Sequence, residues 1–160
     1  ELTNLSNRRT FDNSLRNQIL LYERNKVDIS ILFFDIDDFK NVNDTFGHDV
    51  GDRVLQRFAD IIKEAVRESD LVARWGGEEF VAALIDSSSS NSKLIAEKLR
   101  VSIEKDSVLY GLYGLLNYNL TASFGLTQVC ENDTVETILT RVDKALYEAT
   151  GTGKNKVILA

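Results

Sequence analysis

Apolar residues recur at spacings of three and four between Arg8 and Asn25, at Phe11, Leu15, Ile19 and Tyr22, which predicts an amphipathic helix. The run Ile29-Ser30-Ile31-Leu32-Phe33-Phe34 is apolar without alternation, as a strand covered on both faces would be, and it delivers Asp35 at its carboxyl end. Phe39, Val42 and Phe46 predict a short helix and turn. Val50, Val54, Phe58, Ile61 and Ala65 mark a longer helix ending near Arg67. Two β-prone runs, Leu71 to Arg74 and Phe80 to Ile85, flank Gly76-Gly77 and read as a tight hairpin. The polar stretch from Asp86 to Asn91 caps a helix over roughly Lys93 to Ile103. From Lys105 to Asn119, Gly111 and Gly114 lie among leucines and tyrosines, and the segment reads as a variable connection or short hairpin. Leu120 to Thr127 alternates like a strand, Asp133-Thr134-Val135-Glu136 has a capping-box pattern before a helix to about Thr150, and Lys156 to Leu159 closes the sheet. Hairpins mixed with βα crossovers predict an α/β fold with a mixed sheet.

At 160 residues and 43% apolar content the chain can bury one substantial core, so a single domain over residues 1–160 is expected. The formal charge of -6 argues against a duplex nucleic-acid footprint, which needs a basic face, but it leaves open a nucleotide held through cations. One cysteine, Cys130, and one histidine, His48, exclude an internal disulfide and a cysteine-rich zinc site, and Cys130 reads as a strand-end or loop thiol without catalytic consequence. No apolar run approaches bilayer length and no signal-peptide pattern opens the chain. A cytoplasmic domain without membrane contact is expected. A start at Glu1 and a complete lack of methionine suggest a segment excised from a longer protein, one compatible with a membrane anchor elsewhere.

The hairpin carries the chemistry. Glu78 and Glu79 follow the glycine pair directly, and adjacent carboxylates repel unless a divalent cation compensates. Ligands of α/β sheets gather at the carboxyl ends of strands, where Asp35 sits, so the hairpin could bring all three acids to one edge. Carboxylate oxygens suit Mg2+ or Mn2+.

The segments Leu2-Thr3-Asn4-Leu5-Ser6-Asn7-Arg8-Arg9, Phe34-Asp35-Ile36-Asp37-Asp38-Phe39-Lys40, Asn43-Asp44-Thr45-Phe46-Gly47-His48, Gly51-Asp52 and Arg74-Trp75-Gly76-Gly77-Glu78-Glu79-Phe80 together resemble the GGDEF family of diguanylate cyclases, in its GGEEF variant. The resemblance runs from end to end. It implies a mixed central sheet surrounded by helices, related to the palm-like core of nucleotidyl cyclases, and the condensation of two GTP molecules into cyclic di-GMP with release of pyrophosphate. It further implies Asp35, Glu78 and Glu79 as catalytic acids. With the carbonyl of Ile36 they would be ligands of two Mg2+ or Mn2+ ions per active site. Asn43 and Asp52 match the positions that recognise guanine, and a carboxylate there suits the guanine N1 and N2 hydrogens. Lys40, Lys154 and the backbone amides around Asp38 and Phe39 would meet the phosphates. Asp37 and Asp44 are assigned to local turn bonding and solvent, and His48 to a structural hydrogen bond beside Gly47.

Arg67-Glu68-Ser69-Asp70 matches the family's Arg-x-x-Asp inhibitory site, with Lys98 where a supporting arginine is expected, so cyclic di-GMP is implied as inhibitor as well as product. A homodimer is implied, because each 3′-hydroxyl must attack the other nucleotide. Departures occur near the carboxyl end: Thr150 replaces a phosphate-binding lysine and Lys154 an arginine, trading a bidentate fork for a point charge. These departures motivate an alternative, a non-catalytic regulatory module that binds GTP or cyclic di-GMP. Asn4 replaces a glycine in the amino-terminal motif, a milder change because asparagine tolerates left-handed backbone. Other motifs fail: Gly151-Thr152-Gly153-Lys154 lacks the first glycine and the terminal Ser/Thr of a P-loop, and Thr121 stands where a nucleophile elbow at Ser123 needs glycine.

Overall fold

The structure is a computed structural model that describes residues 2–113 and 119–160. Helix α1 (Arg8–Asn25) is opened by Asn7, whose side chain accepts from the Thr10 amide at 2.9 Å. Strand β1 (Ile29–Ile36), helices α2 (Phe39–Phe46) and α3 (His48–Ala65), and the hairpin β2 (Leu71–Gly76) and β3 (Glu79–Ile85) follow. Then come α4 (Ser89–Glu104), α5 (Ser107–Tyr113), β4 (Ala122–Gln128), α6 (Val135–Gly151) and β5 (Val157–Leu159). Among the described residues no helix is long and apolar enough to cross a membrane.

The strands form one sheet in the order β2-β3-β1-β4-β5, with β1 antiparallel to both neighbours and β4 parallel to β5, which is the expected mixed sheet. Alternation of β1 side chains explains its unbroken apolar run. Leu32, Phe34 and Ile36 face the core built with Val54, Phe58 and Ile62 of α3 and Leu99 of α4. Ile31 and Phe33 face Phe11, Leu15 and Ile19 of α1 and Ile138 and Val142 of α6. Phe34 lies opposite both Phe80 and Phe124, with ring centroids at 5.9 and 4.9 Å. This three-strand aromatic stack pins the register one residue below Asp35.

Three expectations are revised. Residues 105–119 are not a hairpin where they are described: Ser107–Tyr113 is helical, started by Asp106, whose Oδ1 accepts from the Leu109 amide at 2.8 Å. Asp106 is itself gripped by Arg57 of α3 at 2.6 Å, a tertiary contact that overrides the low helix propensity of Gly111. The rest of that expectation, on residues 114–118, lies outside the described residues. Helix α4 begins at Ser89, four residues earlier than expected, because Ser88 is the cap and accepts from the Asn91 amide. The capping box of α6 is formed by Thr134 and Thr137, not by Asp133 and Glu136; Asp133 instead pairs with Arg141 at 2.7 Å, while Glu136 reaches Arg16 of α1 at 2.7 Å.

Candidate active site

The end of β1 and the start of β3 meet in register, with Asp35 directly opposite Glu79. The Ile36 amide donates to the Glu78 carbonyl at 3.4 Å. What brings the acids together is this antiparallel pairing rather than the parallel-sheet rule. The turn is shaped locally: Gly77 adopts a φ of 42°, the β2–β3 register shifts between Arg74 and Gly76, and Arg74 Nε donates to the Gly77 carbonyl at 2.9 Å. Arg74 closes the loop that aims Glu78 and Glu79.

Asp35 is half-buried, and its Oδ1 is buried without a hydrogen-bond partner among the described residues. Burial first, and then the negative charges of Asp37, Glu78 and Glu79, push its carboxyl up to about 7, with Lys154 pulling the other way. Glu79 is raised too, by burial first and then by Glu78 and Asp143, with Arg8 opposing. Arg8 lies over the Trp75 ring at 4.4 Å, and Trp75 packs edge-on against Phe11 and Phe33, the packing role expected for it.

As the side chains stand, no group of three or more His, Cys, Asp or Glu among the described residues could hold a metal ion. The donor chemistry nevertheless fits a hard cation: an orphaned, buried carboxylate oxygen on Asp35, a facing carboxylate on Glu79, a turn acid at Glu78 and a strand-end carbonyl at Ile36. The unresolved repulsion carried by Asp35 is what a divalent cation would relieve.

Beside the turn, Phe39, Lys40, Asn43, His48, Asp52, Arg74, Gly77 and Glu78 line a cavity of about 450 Å³. The structure therefore joins Asn43 and Asp52 to Glu78 and Lys40. Asn43 Oδ1 is likewise a buried acceptor without a partner among the described residues. His48 makes no side-chain hydrogen bond among the described residues and instead lines the cavity, contrary to its expected role. Asp38 and Phe39 sit at the amino terminus of α2, Asp38 in a left-handed conformation with φ 56°. Lys154 Nζ meets Asp38 Oδ1 at 2.5 Å, which brings the lysine to the same end of the sheet. Thr150, by contrast, donates its hydroxyl to the Tyr147 carbonyl at 3.0 Å within its own helix.

Asp37 departs furthest from expectation. It is buried, and its carboxylate accepts from Ser123 Oγ and Thr121 Oγ1 at 2.7 Å each and from the Asn155 amide at 3.1 Å. It ties β1 to β4 and to the left-handed loop of Gly153, Lys154 and Asn155, whose last side chain is held by Arg100 at 2.8 Å. The partners lie 84 to 118 residues away, so no local pattern could reveal them. Asp37→Ala strands the Thr121 and Ser123 hydroxyls and leaves the Asn155 amide only Ser123 Oγ, and it is expected to lower stability by about 2–4 kcal/mol, read as a fall in the denaturant midpoint; an unchanged midpoint would refute the tie.

The second cluster divides. Arg67 and Lys98 line a cavity of about 370 Å³ with Ile95, Leu99 and Ser102. Asp70 is not among its lining residues: its two oxygens accept from the Arg67 and Ile85 amides at 2.8 and 2.9 Å, a structural duty at the β2–β3 edge. Cys130 is an exposed loop thiol, as expected.

Comparison with known proteins agrees with this architecture. Residues 1–156 match the family model described as diguanylate cyclase, GGDEF domain. Diguanylate cyclase A of Treponema denticola is 43% identical over 136 residues, 84% of this chain and 36% of the relative. The GGDEF domain of DgcB from Caulobacter crescentus, solved in complex with c-di-GMP, superposes with a TM-score of 0.91 at 30% identity, covering 99% of this chain and 93% of that one. The active GGEEF domain of a diguanylate cyclase from Vibrio cholerae gives 0.88 at 29% identity, covering 97% of each chain. The chain spans about a third of the length of the curated relatives it matches. With the Asp35–Glu79 pairing, the glycine turn and the whole-length match agreeing, the chain belongs to the GGDEF domain family of diguanylate cyclases.

Proposed function

We propose that this domain condenses two GTP molecules into cyclic di-GMP and pyrophosphate. The observation that carries the reading is the register pairing of Asp35 with Glu79, which sets a buried carboxylate oxygen, unpartnered among the described residues, on the strand end opposite the turn whose Glu78 lines a cavity with Asn43 and Asp52. Asp35, Glu78, Glu79 and the Ile36 carbonyl would hold two Mg2+ or Mn2+ ions. Bound there, the cations supply charge neutralisation on the attacking 3′-oxygen and on the departing pyrophosphate. The chain's own residues do the rest. Asp52 accepts from the guanine N1 and N2 hydrogens, which adenine does not match in donor pattern, and Asn43 stands beside the same base. Lys40, Lys154 and the amides at Asp38 and Phe39 orient the phosphates. Asp37 keeps the Lys154 loop against the sheet.

Each domain presents one nucleotide, so two copies must face each other in a two-fold arrangement. Each 3′-oxygen then bonds to the α-phosphorus of the other GTP. Each α–β bridging bond breaks, two pyrophosphates leave, and two hydroxyl protons are released. The Arg67 and Lys98 cavity would hold the anionic product as an inhibitor, with Arg67 on a phosphate or a guanine Hoogsteen edge. Asp70 would act there chiefly by fixing the Arg67 turn. Arg67→Ala is expected to weaken inhibition by added cyclic di-GMP roughly tenfold or more without reducing the initial rate; equal inhibition of both proteins would remove the site.

Concentrated domain incubated with GTP and Mg2+, with products identified by mass, tests the main reading: cyclic di-GMP should appear, and ATP should neither react nor compete. Thr150, committed to the Tyr147 carbonyl, favours one alternative, a regulatory module that binds GTP or cyclic di-GMP without turnover. GTP binding with no product at any protein concentration would select it.

A further inference from the structure

We infer that Gly51 is a positioning residue of the base site: the space left by its missing side chain is what the Asn43 amide occupies, and so what seats that side chain in the cavity wall. The inference rests on the reading of Asn43 as a guanine contact. Gly51 is buried in the first turns of α3, and its amide donates to the Gly47 carbonyl at 3.2 Å. Its backbone is ordinary helix, where glycine costs ~1 kcal/mol relative to alanine. Conformation therefore gives no reason for a glycine here. Space does. A Cβ at Gly51 would overlap Asn43 Oδ1, lie 3.0 Å from Asn43 Cγ and 3.3 Å from Phe39 Cζ.

The α2–α3 corner explains why the two residues meet. Gly47 turns the chain with a φ of 87°, and its amide caps α2 on the Asn43 carbonyl at 2.9 Å, so the last turn of α2 is laid against the first turns of α3. The Asn43 side chain then fills the volume over Gly51. Its Oδ1 is removed from water yet has no partner among the described residues, so it is packed rather than paired. Asn43 also lines the cavity shared with Asp52, so the volume over Gly51 sets where that side chain stands beside a ligand. Gly51 and Asp52 are thus adjacent in sequence with divided tasks, one making room for the Asn43 side chain and the other supplying an acceptor.

A double-mutant cycle tests this, with binding of the α,β-methylene analogue of GTP in Mg2+ read by calorimetry and thermal melting read alongside. Gly51→Ala is expected to weaken binding roughly tenfold by expelling the amide, while its melting temperature holds or rises from the gain in helix propensity. Asn43→Ala should weaken binding similarly, and the double variant should bind no worse than Asn43→Ala alone. A purely structural role would lower the melting temperature and would not vanish in the Asn43→Ala background. If Asn43→Ala binds like the parent, the base-site reading fails. If Asn43→Ala is weak but Gly51→Ala binds like the parent, or if the two losses simply multiply, the role assigned to Gly51 is overturned and the base-site reading stands. Should Gly51→Ala fail to fold, the clash predicts that Asn43→Ala restores folding in the double variant; failure of both overturns the inference.

Discussion

Replacing Asp35 with asparagine is expected to abolish cyclic di-GMP formation while making the metal-free protein more resistant to heat. The two effects have one cause. Asp35 is a half-buried carboxylate set among Asp37, Glu78 and Glu79, and these surroundings hold its carboxyl at about 7 rather than in the ordinary carboxylate range. The folded state thus binds this proton more tightly than the unfolded state does. The stability linked to it is fully present below the unfolded value of 3.8 and is lost as pH rises through about 7. Asparagine keeps the shape without the charge, so it should recover ~1–3 kcal/mol at pH 8, after allowing for the water that still reaches the group. That corresponds to a rise of several degrees in Tm. Well below pH 3.8 the carboxyl is neutral in both states, and the advantage should disappear. Activity should fall at least a hundredfold at every pH, since asparagine cannot replace an anionic ligand. A variant that melts lower than the parent at pH 8, or that keeps a tenth of the rate, would contradict this view of the site.

The second large effect is structural. Gly125 in β4 lies under α6, where a Cβ would overlap the Val142 carbonyl oxygen and stand 2.6 Å from the Leu146 nitrogen. Both are backbone atoms of a helix that packs along β4 and leads into the Lys154 loop, so no rotamer change can relieve the contact. Gly125→Ala is therefore expected to cost ~3 kcal/mol or more and to lower Tm by roughly 10 °C. Gly111 of α5, which has nothing within 4 Å of its ideal Cβ, is the control: Gly111→Ala should be neutral or stabilising by ~0.5–1 kcal/mol. Equal melting of both variants would mean that α6 does not approach β4 as closely as described.

What the sequence made legible follows from the range of the interactions involved. The apolar run of residues 29–34, the glycine turn and the stripes of α1 and α3 are local patterns, and the structure reproduces them. The facing of Asp35 and Glu79 was readable because a hairpin and a strand end can be placed on one edge before the exact register is known. Asp37 was misjudged because its three donors come from residues that only the folded sheet brings near. The start of α5 depends on an Asp106–Arg57 pair across 49 residues, and Gly111 disguised it. Asp70 has a duty that its motif does not record, since its two oxygens accept from the Arg67 and Ile85 amides. Gly51 stood in a recognised motif, but its relation to Asn43 required the corner between two helices.

The central claim is that Asp35 and the acids after Gly77 hold the cations that engage a guanosine triphosphate. Diffraction from crystals grown with Mn2+ and the α,β-methylene analogue of GTP, measured at the manganese absorption edge, tests it most directly. Anomalous peaks bounded by Asp35, the Ile36 carbonyl and Glu78 or Glu79, with the base beside Asn43 and Asp52, are the expected result. Manganese bound to the triphosphate away from these carboxylates, or found elsewhere on the protein, would contradict it.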